Sequence, residues 1–222
     1  MKIKIISHVT AETLFEHDEE DNTLAKTLEA AILAGIDLGG AELNNLVWPK
    51  ASLQRINLAG SVLQGANLKE ADLTGTNLAG SNLTGVVLQK AILKEANLQR
   101  SLLIRADLSK ANFQGASLRW SDIRGAYLAW ANLAGANVSA TVLQGANLQG
   151  ADLAGANLSG TNLAAAGLVG ANLVGANLAG TILQGTSFRN ARMAGVNLEG
   201  ANMQGADFDG VIWDSGTYID SG

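Results

Sequence analysis

Residues 146–165 read ANLQG ADLAG ANLSG TNLAA, and their spacing decides the fold. Leu148, Leu153, Leu158 and Leu163 recur every fifth position, each preceded by Asn or Asp and, two residues back, by Ala or Thr. Gly usually stands two residues after the Leu. Followed outward, the same series begins Leu38, Leu43, Trp48, Leu53, Leu58, Leu63 and runs through Phe113, Val138, Phe188, Met193 and Phe208 to Trp213, with no polar member. From 36 to 215 this makes thirty-six pentads without an insertion. A period of five matches neither the 3.6 of a helix nor the 2.0 of a flat strand. A short extended piece followed by a tight turn keeps the leucines on one side, and Gly after the turn suits a residue that needs φ > 0.

Pentads such as ANLQG, ADLAG, ANLSG and TNLAA resemble the A(D/N)LXX consensus of the pentapeptide repeat family, over about four-fifths of the chain. The resemblance implies an all-β solenoid, a right-handed quadrilateral β-helix with four pentads per coil, the Leu and the preceding small residue pointing inward. Thirty-six pentads then make about nine coils, and parallel strands about 4.8 Å apart give a rod roughly 40 Å long. Its interior would be filled by side chains, and nearest-neighbour stacking leaves the two ends as the weak points.

The ends are expected to differ. Residues 1–35 read as an N-terminal cap: strands over 2–7 and 12–17, a turn over 8–11, and a helix over 23–34 with Asp21 or Asn22 as N-cap and Gly35 beyond its end. The rod occupies 36–215 and a tail 216–222. Ile212, Trp213, Tyr218 and Ile219 are bulkier than the preceding repeats and form a candidate C-terminal cap or dimer contact, so the chain is expected as a monomer or an end-to-end homodimer.

Composition reports the repeat more than any chemistry. Gly is 26 of 222 residues, against about 7% in average usage, and aromatics are only 5%. There is no Cys, hence no disulfide and no thiolate metal site. No apolar run reaches the roughly 18 residues of a membrane span, and no signal-peptide core forms in 1–15, so a soluble, cytoplasmic protein without membrane contact is expected. The formal charge of −5 is unevenly placed: residues 1–35 hold seven acids against three lysines, whereas 36–215 hold twelve of each sign.

Two surface features stand out on a twenty-residue map. Asn57, Asn77, Asn97, Ser117, Asn137, Asn157, Asn177 and Asn197 fall in one column, as expected of stacked amides that bond one another or nearby turns. Around the middle of the rod, Arg100, Arg105, Arg119 and Arg124 interleave with Leu102, Ile104, Trp120, Tyr127 and Trp130, a candidate partner-binding belt. Trp120 should stack beside Arg100, and Trp130 beside Lys110, where cation–π contacts are available.

Catalytic, cofactor and metal sites are not expected. The two histidines, His8 and His17, lie in the cap, and a filled interior removes the usual pocket. The family's best-known role is mimicry of duplex DNA toward type II topoisomerase (DNA gyrase). Mimicry requires about one negative charge per 1.7 Å, which a neutral rod lacks. The sequence therefore points to a non-catalytic interaction scaffold with an unidentified protein partner. Gyrase binding is the alternative, and nucleic acid is disfavoured.

Overall fold

The computed structural model describes residues 1–214. Strands β1 (Lys2–Ile6) and β2 (Thr13–Asp18) pair antiparallel and are followed by helix α1 (Leu24–Leu33). Beyond them the chain is a β-helical solenoid whose bridges are all parallel and twenty residues apart, from Glu42 with Val62 to Arg192 with Ile212. Twenty residues hold four pentads, so each coil has four sides. The second face contains pentad 41–45 and its twenty-residue successors. The first, third and fourth contain 36–40, 46–50 and 51–55 with theirs.

One pentad shows why the sequence takes this path. The N–H groups of Leu148 and Gly150 donate to Gly167 O and Val169 O of the following coil, at 2.7 and 2.9 Å. Asn147 donates to Ala126 O of the preceding coil at 3.0 Å, and Ala151 N closes the turn onto Leu148 O at 3.0 Å. The fifth N–H, that of Gln149, is taken by Asn147 Oδ1 at 3.0 Å. All five donors are therefore accounted for, and the Asn or Asp before the Leu is the residue that completes the set. The turn is possible because the residue two after the Leu is left-handed; Gly150 has φ 63°.

The leucine and small-residue columns form one continuous buried core, with Phe113 and Phe188 standing in for Leu. Hydroxyls at the small positions are buried but satisfied: Ser121 Oγ donates to Leu118 O at 2.6 Å and Thr161 Oγ1 to Val138 O at 2.9 Å. Burying each Leu contributes about 1.5–3 kcal/mol, repeated along the rod.

The amino-terminal segment lies against the edge of the first coil. Ser7 pairs antiparallel with Ala41, Glu42 N donates to Ile6 O at 2.9 Å and His8 N to Gly40 O at 2.9 Å. Ile5, Leu28 and Ala31 are buried over the core. The helix N-cap is Thr23, not Asp21 or Asn22. Thr23 is extended and its side chain accepts Lys26 N at 3.2 Å, whereas Asp21 is left-handed and Asn22 bonds His17 O and Thr27 Oγ1. At the other end Phe208 stacks on Phe188 at 5.1 Å, and Trp213 tilts against Phe208 at 5.9 Å. Val196, Leu198, Met203 and Phe208 are only partly buried, since no further coil stacks on theirs among the described residues.

Candidate functional site

Side chains project from this rod at two kinds of position. The residue before each Leu points outward from a face, and the two after it form the corner. In the middle of the rod both kinds depart from the repeat's preference. Lys90, Glu95, Arg100, Arg105 and Lys110 occupy five successive corners with φ of 56–60°, and Trp120 and Trp130 follow at 59° and 62°. A side chain in that left-handed conformation costs roughly 1–2 kcal/mol, which glycine avoids. Leu102 and Tyr127 sit where Asn or Asp would cap the turn, and neither can accept the N–H two residues on. The segment thus gives up local stability at several points to display large side chains.

The structure divides the expected belt. Arg100, Arg119 and Trp120 share the corner between the first and second faces. Leu102 lies on the second face, and Ile104, Arg105 and Arg124 form its other corner. Tyr127 belongs to the third face and Trp130 to the corner beyond it. Leu102, Trp120, Tyr127 and Trp130 are 41%, 47%, 55% and 61% exposed, too much for core residues.

At the first corner the Trp120 ring carries two guanidiniums, Arg119 at 4.1 Å and Arg100 at 5.1 Å from its centroid. The spacing of twenty identified Arg100; the nearer cation, adjacent in sequence, was legible only from the corner geometry. Arg119 Nε is buried there without a hydrogen-bond partner. At the opposite corner Arg124 grips Asp122 through Nε and Nη2, at 2.6–3.0 Å. Those bonds, working against partial burial, hold the Asp122 carboxyl below the ordinary range. Shallow depressions flank the second face, one lined by Gly80, Asn97, Gln99, Arg100 and Trp120, the other by Thr84, Ile104, Arg105, Arg124, Gly125 and Gln144.

Trp130 stacks one coil beyond Lys110, as the spacing of twenty requires, but its ring turns the other way. Its indole lies over Gly150 of the following coil, where a Cβ would stand 2.5 Å from Cε3. The absence of a side chain at that corner makes room for the ring. The asparagine column behaves as expected: Asn77 donates to Asn57 at 3.0 Å and Asn97 to Asn77 at 3.2 Å, while their Oδ1 atoms cap local turns.

The candidate C-terminal contact residues separate. Ile212 faces outward on the fourth face and Trp213 inward against Phe208, while Tyr218 and Ile219 lie outside the described residues. His17 bonds Glu19 at 3.0 Å, and His8 Nε2 lies 2.6 Å from Gly60 O. Among the described residues no group of three His, Cys, Asp or Glu side chains is placed to hold a metal ion, and no helix is long and apolar enough to cross a membrane.

The family model for pentapeptide repeats matches eight copies, over residues 51–89, 91–128, 131–166 and 171–210. No curated protein matches the chain. Among solved structures, full-length QnrB1, a plasmid-mediated fluoroquinolone resistance protein, is 20% identical over 78% of this chain and 94% of its own, with a TM-score of 0.56, which shows a shared fold. HetL, a pentapeptide repeat protein involved in heterocyst differentiation regulation from the cyanobacterium Nostoc sp. strain PCC 7120, is 27% identical over 89% of this chain and all of its own, with a TM-score of 0.36. Rfr23 from the cyanobacterium Cyanothece 51142 is 25% identical over 86% of this chain and all of its own, with a TM-score of 0.21.

Proposed function

Because this chain belongs to the pentapeptide repeat family, whose model matches most of its length, we propose that it is a non-catalytic, cytoplasmic scaffold that binds a protein partner through the middle of its rod. In this reading a cap over 1–35 closes a right-handed quadrilateral rod of nine coils over 36–215, and 216–222 is a tail. The observation that carries the proposal is the run of strained, glycine-free corners from 90 to 110, continued by Trp120 and Trp130, with Leu102 and Tyr127 in place of turn-capping Asn. Side chains retained at a local cost and left exposed cluster at functional sites. Arg100, Arg105, Arg119 and Arg124, with Leu102, Ile104, Trp120, Tyr127 and Trp130, are the proposed contacts. Ile212, Trp213, Tyr218 and Ile219 form a second candidate contact at the C-terminal end, with the monomer favoured over an end-to-end dimer; light scattering separates the two.

Reverting the belt toward the repeat consensus tests the proposal. Leu102→Asn, Trp120→Gly, Tyr127→Asn and Trp130→Gly together should abolish recovery of cross-linked partners from cell extract while leaving the rod folded. Undiminished recovery would remove the belt. Fold likeness to a fluoroquinolone resistance protein supports gyrase protection as a second reading. Against it stand the balanced charges of the rod and a central surface that is positive where DNA is negative. Protection of gyrase supercoiling from a quinolone by the purified protein would favour that second reading over the first.

A further inference from the structure

Resting on the scaffold reading, we propose that the second face between its two arginine corners is a docking site for an acidic polypeptide segment with an apolar anchor. Carboxylates bind at Arg100 and Arg119 on one side and at Arg105 on the other, where Arg124 already holds Asp122, and the anchor rests on Leu102 and Ile104.

Charge complementarity selects this occupant. Four guanidiniums meet on two adjacent coils, and the carboxylate beside them, Asp122, is engaged by Arg124. Among the described residues Arg100, Arg105 and Arg119 have no ion-pair partner. The coils on either side are uncharged on this face, with Asn82 and Thr84 before and Val142 and Gln144 after. The patch is thus bounded along the rod to two coils, about 5 Å apart, and across it to the width of one face. An extended segment laid across that face presents alternate side chains to it, about 6.7 Å apart. An acid, an apolar residue and an acid at every second position match corner, centre and corner. Arginine at four of four cationic positions suits planar, two-pronged carboxylates.

The same surface disfavours single-stranded nucleic acid. Such binding needs successive free aromatic faces on which bases stack. Here the Trp120 ring already carries two guanidiniums, Trp130 lies on Gly150, and Tyr127 is on another face. The centre of the patch is Leu102 beside Asp122, whose carboxylate Arg124 holds, with no aromatic face.

Fluorescence anisotropy on the full chain, using a fluorescein-labelled peptide of three Glu-Ser-Leu-Ser-Glu repeats, tests the site. Saturable binding that weakens with salt is expected. Arg105→Gln with Arg119→Gln should weaken it at least about tenfold, a change of about 1.4 kcal/mol. Lys50→Gln with Lys90→Gln, which removes equal charge elsewhere, should change it less than about twofold. Leu102→Asn, which restores the consensus turn cap and so protects folding, should also weaken binding. No saturable binding, equal binding by the Arg105/Arg119 variant, or stronger salt-matched binding of a labelled oligo-dT would overturn the proposal. An extract partner lost with Tyr127→Asn and Trp130→Gly but retained by the Arg105/Arg119 variant would also overturn it, yet leave the scaffold reading standing.

Discussion

At Gly150 two demands meet on one residue: a left-handed backbone and space for the Trp130 ring. Gly160 has the same φ range but nothing within 4 Å of a built Cβ. Gly160→Ala should therefore cost about 1 kcal/mol, the left-handed penalty alone, and Gly150→Ala clearly more, about 2–3 kcal/mol if the indole cannot swing away. Urea denaturation of the two variants measures the difference, and equal costs would show that the Trp130 ring is free to leave. Leu102→Asn should run the other way and stabilise the rod by about 0.5–1 kcal/mol, since it supplies the missing acceptor for Ile104 N. Legibility in sequence also divides at this scale. The inward leucines and left-handed corners could be read from spacing, because the backbone path repeats with the sequence. The direction of the Trp130 side chain could not, because it depends on which neighbouring coil happens to carry glycine.

The solenoid was readable because every coil repeats the same local signals, whereas residues 1–35 offer each signal once. The hairpin and helix were still evident from apolar alternation, yet the N-cap moved to Thr23 because Asn22 turned inward to bond His17 and Thr27. Leu28→Ala should cost about 2–5 kcal/mol, as expected for a fully buried leucine. Its effect should be local first. In hydrogen exchange, the first-coil amide that donates to the amino-terminal segment, that of Glu42, should lose protection while those of Leu148 and Gly150 keep theirs. A uniform loss along the rod would mean that cap and rod unfold as one.

Over the whole molecule, acid should act on several carboxylates together. Glu16 is held low by Lys2, and Glu19 by Lys26 and His17. Asp122 is held low by Arg124. For Asp72 and Asp107 burial is the largest influence and opposes ionisation, but hydrogen bonds from Thr74 and Gln54, and from Ser109 and Gln89, outweigh it. Each group keeps its charge in the fold to a lower pH than in the unfolded chain, so protons bind the unfolded state first. The stability these groups contribute is present above the ordinary carboxylate range and declines as pH falls through about 4 and below. Thermal melting should therefore be flat from about pH 6 to 8 with respect to these groups and decline below about pH 4; an unchanged melting temperature at pH 3 would contradict it.

The backbone ladder also gives the rod a direction. In the pentad around Leu148 two N–H groups point to the following coil and one to the preceding coil. Repeated around a coil, this makes the carboxy-terminal edge rich in donors and the amino-terminal edge rich in acceptors. Head-to-tail growth of such rods into a filament would need a donor edge of one copy to meet an acceptor edge of another. The end of β1 and the residues after it cover part of that edge within their own chain: His8 N fills the acceptor Gly40 O, Ser7 pairs with Ala41, and Ile6 O takes Glu42 N. Blocking one edge suffices, because an open-ended heterologous contact cannot propagate without both. A chain lacking residues 1–35 should accordingly form concentration-dependent linear polymers, visible by light scattering and electron microscopy, where the intact chain does not.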